Sequence, residues 1–172
     1  QEETFEDTRD RNPFADYPDL LHSLEATLKA ITDSDPSAQK RLLGLARMIE
    51  RTCTESPDAT LALVHLYSIG PVIYEQILFY AILCQFIGRQ FGLEEKRVAV
   101  LTTAALTANL ALVPIADKLN ASNTVLNDEQ RGVIRKHPER SIQALQAAGI
   151  DVGFFLQFGY PGETWGDIAA TL

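Results

Sequence analysis

The feature that most constrains this chain is the period of its apolar residues. They return every three or four positions through almost the whole sequence, and nowhere do β-branched residues alternate with polar ones as a half-buried strand requires. Leu20, Leu21, Leu24, Leu28 and Ile31 share one face of a helix predicted over 17–31. Thr32-Asp33-Ser34-Asp35-Pro36 breaks that helix and supplies caps for a second one over about 36–54. The second helix is apolar on one side (Leu42, Leu45, Ala46, Ile49) and basic on the other (Lys40, Arg41, Arg47, Arg51). Pro57 opens a short helix to about Leu66, and Ile69-Gly70-Pro71 reads as a turn. Helix 72–91 is apolar around most of its circumference, which predicts a central, buried element. Gly92 stops it, and Glu94-Glu95 open the next helix with acids leading, as the helix dipole favours. Asn127-Asp128-Glu129-Gln130 has the form of a capping box; Pro138 is expected to restart the helical pattern and Gly149 to end it. The expectation is an all-α chain of about seven or eight helices, with no internal repeat.

Composition decides three further points. A hydrophobic share of 46% against 22% charged residues is that of a packed domain with a sizeable core. The formal net charge of −8 argues against nucleic-acid binding, which needs cationic surface to displace counterions, and no basic run supplies a local exception or a polybasic membrane anchor. Two cysteines, Cys53 and Cys84, lie too far apart for a metal-binding spacing and read as free thiols in a reducing compartment. No basic and apolar leader precedes residue 17, so a cytoplasmic location is expected. Val98 to Ala116 is uncharged and within reach of a membrane span, but Thr102, Thr103, Thr107, Asn109 and Pro114 favour a helix buried in a soluble core.

The stretch that carries most information about function is Ala104-Ala105-Leu106-Thr107-Ala108-Asn109-Leu110-Ala111. After it come a loop with Pro114 and Asp117-Lys118-Leu119, then Leu126-Asn127-Asp128-Glu129-Gln130, then Lys136-His137-Pro138-Glu139. In order and spacing this series resembles the HD-GYP subfamily of HD-domain phosphohydrolases, over roughly residues 40–150. It is most similar to a branch with Ala-Leu-Thr-x-Asn in place of the His-Asp pair. The resemblance implies an HD-domain-like helical bundle over 17–150, with a tail or incomplete domain end over 151–172; the acidic, polar residues 1–16, with Asn12-Pro13, read as an extended arm or linker. Gly159-Tyr160-Pro161 in that tail matches the letters of the family's namesake motif.

The family cleaves cyclic di-GMP with two or three iron or manganese ions, which acidify a water and stabilise charge on the phosphoryl oxygens. Such ions need His and carboxylate ligands. By the resemblance, the first family His falls at Gln76, the His-Asp pair at Thr107-Ala108 and the phosphate-holding Lys at Ala111, so only His137 survives. One imidazole does not hold a divalent ion. The expectation is therefore no catalytic residue and no metal cofactor. What remains is a vestigial ligand-binding site made of Gln76, Thr107, Asn109 and His137, in a catalytically inactive signalling domain acting by ligand or protein binding. The partners expected are a cyclic dinucleotide, a signalling protein, or a second copy of the chain through the apolar surface of helix 72–91 and the N-terminal arm. From the residues alone, His137 reads as a cap or turn before Pro138, and Thr107 and Asn109 as side chains that satisfy buried backbone groups or line a small polar pocket. Two alternatives stay open. One is a metal-dependent phosphodiesterase with non-standard ligands drawn from His137, Asp117, Asp128, Glu129 and Glu139. The other is an HDOD-like regulatory module with no nucleotide role.

Overall fold

A computed structural model describes residues 12–66, 72–116, 126–153, 164 and 166. Among them are six α-helices and one 3-10 helix, and no strand. The all-α expectation holds, with six α-helices in the described residues rather than seven or eight.

Helix α1 spans Pro13–Thr32 and so starts four residues before the periodicity suggested. The cause is local. Asn12 is a cap, its Oδ1 accepting from the Phe14 N–H at 3.1 Å, and Pro13 sits at the first helical position, where no N–H is missed. What reads as linker chemistry in Asn12-Pro13 is a helix start. Helix α2, Ala38–Glu55, turns its apolar face inward, with Leu42, Leu45, Ala46, Ile49 and Cys53 buried and Lys40, Arg41, Arg47 and Arg51 exposed. Helix α3, Pro57–Leu66, is tied to α2 by the fully buried Thr60, whose hydroxyl donates to Ser56 O at 2.7 Å and Thr52 O at 3.1 Å.

Helix α4, Ile73–Gln90, packs against α1, α2, α3 and α5. Glu75 helps fix its start. One carboxylate oxygen accepts from the Val72 N–H at 3.0 Å and the other from the Tyr17 hydroxyl at 2.8 Å, while the Tyr17 ring stacks on Phe79 with centroids 6.5 Å apart. The core lies between these helices, with Leu20, Leu24, Ile49, Leu63, Ile77 and Ile82 at 1% exposure or less. The helix ends in a Schellman turn at Gly92, φ +68°, with Leu93 N donating to Gly88 O and Gly92 N to Arg89 O. The central position expected of α4 is observed, but one stripe of it faces out: Tyr80 and Ile87 are 52% exposed and Phe91 is 80% exposed.

Helix α5, Glu95–Thr107, runs back along α4. A Cβ built on Gly88 would lie 3.1 Å from the Val98 side chain, so glycine sets the close approach of the two backbones. The expected continuous, buried helix through Ala116 is not what forms. The chain breaks at Ala108–Asn109 and continues as a 3-10 helix, Leu110–Ile115. Glu95–Ile115 is long and apolar enough to cross a membrane by composition alone, yet it is two elements, with only 28% of its apolar window buried. Helix α6, Asp128–Ala147, starts with the expected reciprocal box, Gln130 N to Asn127 Oδ1 at 2.8 Å and Asn127 N to Gln130 Oε1 at 2.9 Å. It ends at Gly149, φ +71°, in a second Schellman turn. Contrary to expectation, Pro138 does not restart a helix. It lies in the middle of one 20-residue helix, and His137 is a mid-helix residue rather than a cap or turn.

Candidate functional site

The site is best built from the break after α5. Thr107 ends that helix almost buried, and its hydroxyl donates to Thr103 O at 2.9 Å. This bond to a carbonyl one turn back satisfies the oxygen without help from elsewhere in the fold. Ala108 follows as the exposed C-cap, and Asn109, half-buried, opens the 3-10 helix. A helix that stops leaves backbone groups without intrahelical partners. Here Ser141, one residue of α6, takes two of them. Its Oγ donates to Ala108 O at 3.3 Å and accepts from Ala111 N at 3.1 Å, using both capacities of a hydroxyl. Ser141 is 3% exposed, so this clasp pins the end of α5 against α6 inside the protein.

His137 lies one helical turn before Ser141 on the same face of α6. Its Nδ1 is 2.5 Å from Ile134 O. A carbonyl only accepts, so Nδ1 carries the proton in that bond. Proline at 138 has no N–H, and Ile134 O is the carbonyl that N–H would have bonded. The imidazole therefore occupies the position left open by its own neighbour. In Lys136-His137-Pro138, the histidine repairs the helix that the proline interrupts.

Gln76 is half-buried in the first turn of α4. The antiparallel register of α4 and α5 is marked by Gln85 Nε2 donating to Thr102 Oγ1 at 3.0 Å. The Ser141 clasp brings the 107–111 turn and the His137 face of α6 to one end of the molecule. Thr107 lines a cavity of about 230 Å³ there, together with Leu42, Val100, Thr103, Ala104, Leu145, Ile150, Asp151, Val152 and Gly153. Gln76, Asn109 and His137 are not on its wall. Ser141 was not singled out in the sequence. The available signal was a serine on the stripe that includes Leu145, where a buried hydroxyl must find partners.

The alternative carboxylates are spread out. Asp128 and Glu129 are exposed in the first turn of α6, where Asp128 pairs with Arg131 at 3.5 Å. Glu139 is exposed and accepts from Gln143, while Asp117 lies outside the described residues, as do the 154–163 segment and its Gly159-Tyr160-Pro161. Among the described residues, no three His, Cys, Asp or Glu side chains group as a metal site. His22 and His65 are exposed. Both thiols are free. Burial pushes Cys53 up to about 12 and also raises Cys84. No known protein family, curated protein or solved structure matches the chain.

Proposed function

We propose that the chain is a catalytically inactive, HD-GYP-like signalling domain that works in the cytoplasm through protein contact. The support is the order of the Ala-Leu-Thr-Ala-Asn, Asn-Asp-Glu-Gln and Lys-His-Pro segments, joined to the chemistry at their meeting point. The observation that carries the proposal is the cavity beside Thr107. Its described wall is largely apolar, and its one charged residue is the acidic Asp151. A cyclic dinucleotide brings two phosphodiester anions and needs cations or oriented N–H groups to receive them. At about 230 Å³ the cavity is also below the roughly 300–1,000 Å³ of drug-sized ligand sites. Three polar side chains at this end already have structural work, Thr107 on Thr103 O, His137 on Ile134 O and Ser141 on the 108–111 turn.

The test is direct. Purified chain is supplied with manganese or iron(II) and offered cyclic di-GMP. No hydrolysis and no heat of binding are expected. Metal-stimulated turnover overturns the proposal in favour of an enzyme with non-standard ligands. Tight binding without turnover overturns its second half and makes the domain a nucleotide sensor.

A further inference from the structure

The outward face of the α4–α5 pair is apolar to a degree that solvent does not explain. Tyr80, Cys84, Ile87 and Phe91 stand four, three and four residues apart, which places them in one straight stripe along α4. Tyr80, Ile87 and Phe91 are 52%, 52% and 80% exposed. On α5 and the turn before it, Leu93, Arg97, Val100, Leu101 and Ala104 line an open cleft of about 510 Å³ in which Arg97 is the one charged residue. Val100 is 55% exposed and Leu93 38%. The contrast with α2 is one of degree, because that helix puts Lys40, Arg47 and Arg51 on its outward side beside the exposed Leu43 and Met48.

We infer that this face is a homodimer interface, formed by a second copy of the chain packed on α4 about a twofold axis. The occupant follows from the symmetry and the area. Antiparallel pairing of the stripe with itself sets Tyr80 against Phe91 of the second copy and Cys84 against Ile87 of the second copy. Every position of the stripe then has an apolar partner, and the axis passes between Cys84 and Ile87. The five exposed side chains Tyr80, Ile87, Phe91, Leu93 and Val100 present on the order of 500 Å² of apolar surface per copy, so two copies bury about 1,000 Å² with the cleft residues Leu93 and Val100 included, the lower bound for a specific interface. A patch of that size is at the upper end of what monomers carry. The inference holds whatever the chemistry of the Thr107 turn.

Sedimentation velocity of the full chain over a concentration series tests it. The expected result is a concentration-dependent shift to a particle of twice the 19.0 kDa chain mass. Ile87→Glu and Phe91→Glu each place a charge in the pairing and are expected to raise the dissociation constant at least about tenfold, with the circular dichroism of the monomer unchanged. Met48→Glu, at a 40% exposed apolar position on α2, leaves the dimer intact. A bismaleimide with a reach of about 10 Å, the spacing of two packed helices, joins two copies through Cys84, and Cys84→Ser abolishes the product. A wild-type chain that stays monomeric at about 100 µM, well above a micromolar dissociation constant, overturns the inference. So does a dimer indifferent to both Glu variants, or a monomer that instead co-sediments with phosphatidylcholine vesicles.

Discussion

Helices α2 and α5 both lie at the edge of the same core, and they meet water in opposite ways. α2 is written as a surface helix. Leu45 and Ile49 go inward, and Lys40, Arg47 and Arg51 go out. α5 buries Val98, Thr102, Leu106 and Thr107 but also presents Val100 and Ala104 to solvent, and its inward side carries two threonines where α2 has only apolar residues and a thiol. The lesson is that apolar content alone does not say which face is the core. In α2, composition and burial agree except at Leu43 and Met48, which are 45% and 40% exposed. In α5 they disagree, and the disagreement marks a surface that stays uncovered in the isolated chain.

The largest expected effects test that contrast directly. Ile49 is fully buried on α2, so Ile49→Ala should cost about 2–5 kcal/mol, the usual range for emptying a packed aliphatic site. Val100 is as apolar but 55% exposed, and Val100→Ala should change the stability of the dilute monomer by no more than about 0.5 kcal/mol. Urea unfolding of both variants at low concentration checks the pair. Equal costs would mean that α5 is covered as fully as α2.

The inward faces can be separated by pH. Cys53 on α2 is 3% exposed, and burial raises its thiol to about 12 from an ordinary 9.0. The folded chain keeps this proton while the unfolded chain releases it near pH 9. Its contribution to stability is therefore complete below pH 9 and is lost as pH rises toward 12. At pH 10 the loss is about 1.4 kcal/mol, and Cys53→Ala should remove that part of the alkaline slope in denaturant titrations. The matching position between α4 and α5 is Gln85, 1% exposed, whose Oε1 is buried with no hydrogen-bond partner. Its amide donates to Thr102 Oγ1, but that hydroxyl already donates to Val98 O at 2.9 Å and is not stranded without it. Gln85→Met is thus expected to raise stability by about 1 kcal/mol, the order of an unpaired buried polar atom. A loss of similar size would show that the oxygen is satisfied after all.

How much of this was legible depended on the range of the cause. Gly92, Gly149 and the Asn127–Gln130 box act within a few residues, and the sequence placed all three correctly. The break after Thr107 has no glycine or proline at 108 or 109 to announce it. It is held by Ser141, more than thirty residues away, and a local pattern does not carry such a contact. Periodicity likewise identified the apolar circumference of α4 without saying which stripe the neighbouring helices would leave open. At the candidate site, residue types showed what Thr107 and Ala108 are unable to do. The Thr107 hydroxyl serves its own helix, and the largely apolar wall beside it follows from packing between distant segments that no local pattern carries.

The last expected effect concerns α6, the helix that braces the end of α5. Proline inside a helix normally breaks or kinks it, because a hydrogen bond is lost and the ring crowds the carbonyl four residues back. α6 nevertheless runs through Pro138 for its full 20 residues. The His137 imidazole on Ile134 O supplies the bond that the proline removes. If that is its work, His137 and Pro138 are coupled, and a double-mutant cycle measures the coupling. His137→Ala alone should cost about 1 kcal/mol, the worth of one hydrogen bond to a partly buried carbonyl. In a Pro138→Ala background the residue 138 N–H returns to Ile134 O, and the same His137→Ala change should then cost almost nothing. A cost that persists in that background would assign the imidazole to something other than the helix, and would return His137 to the list of ligand-binding candidates at the end of α5.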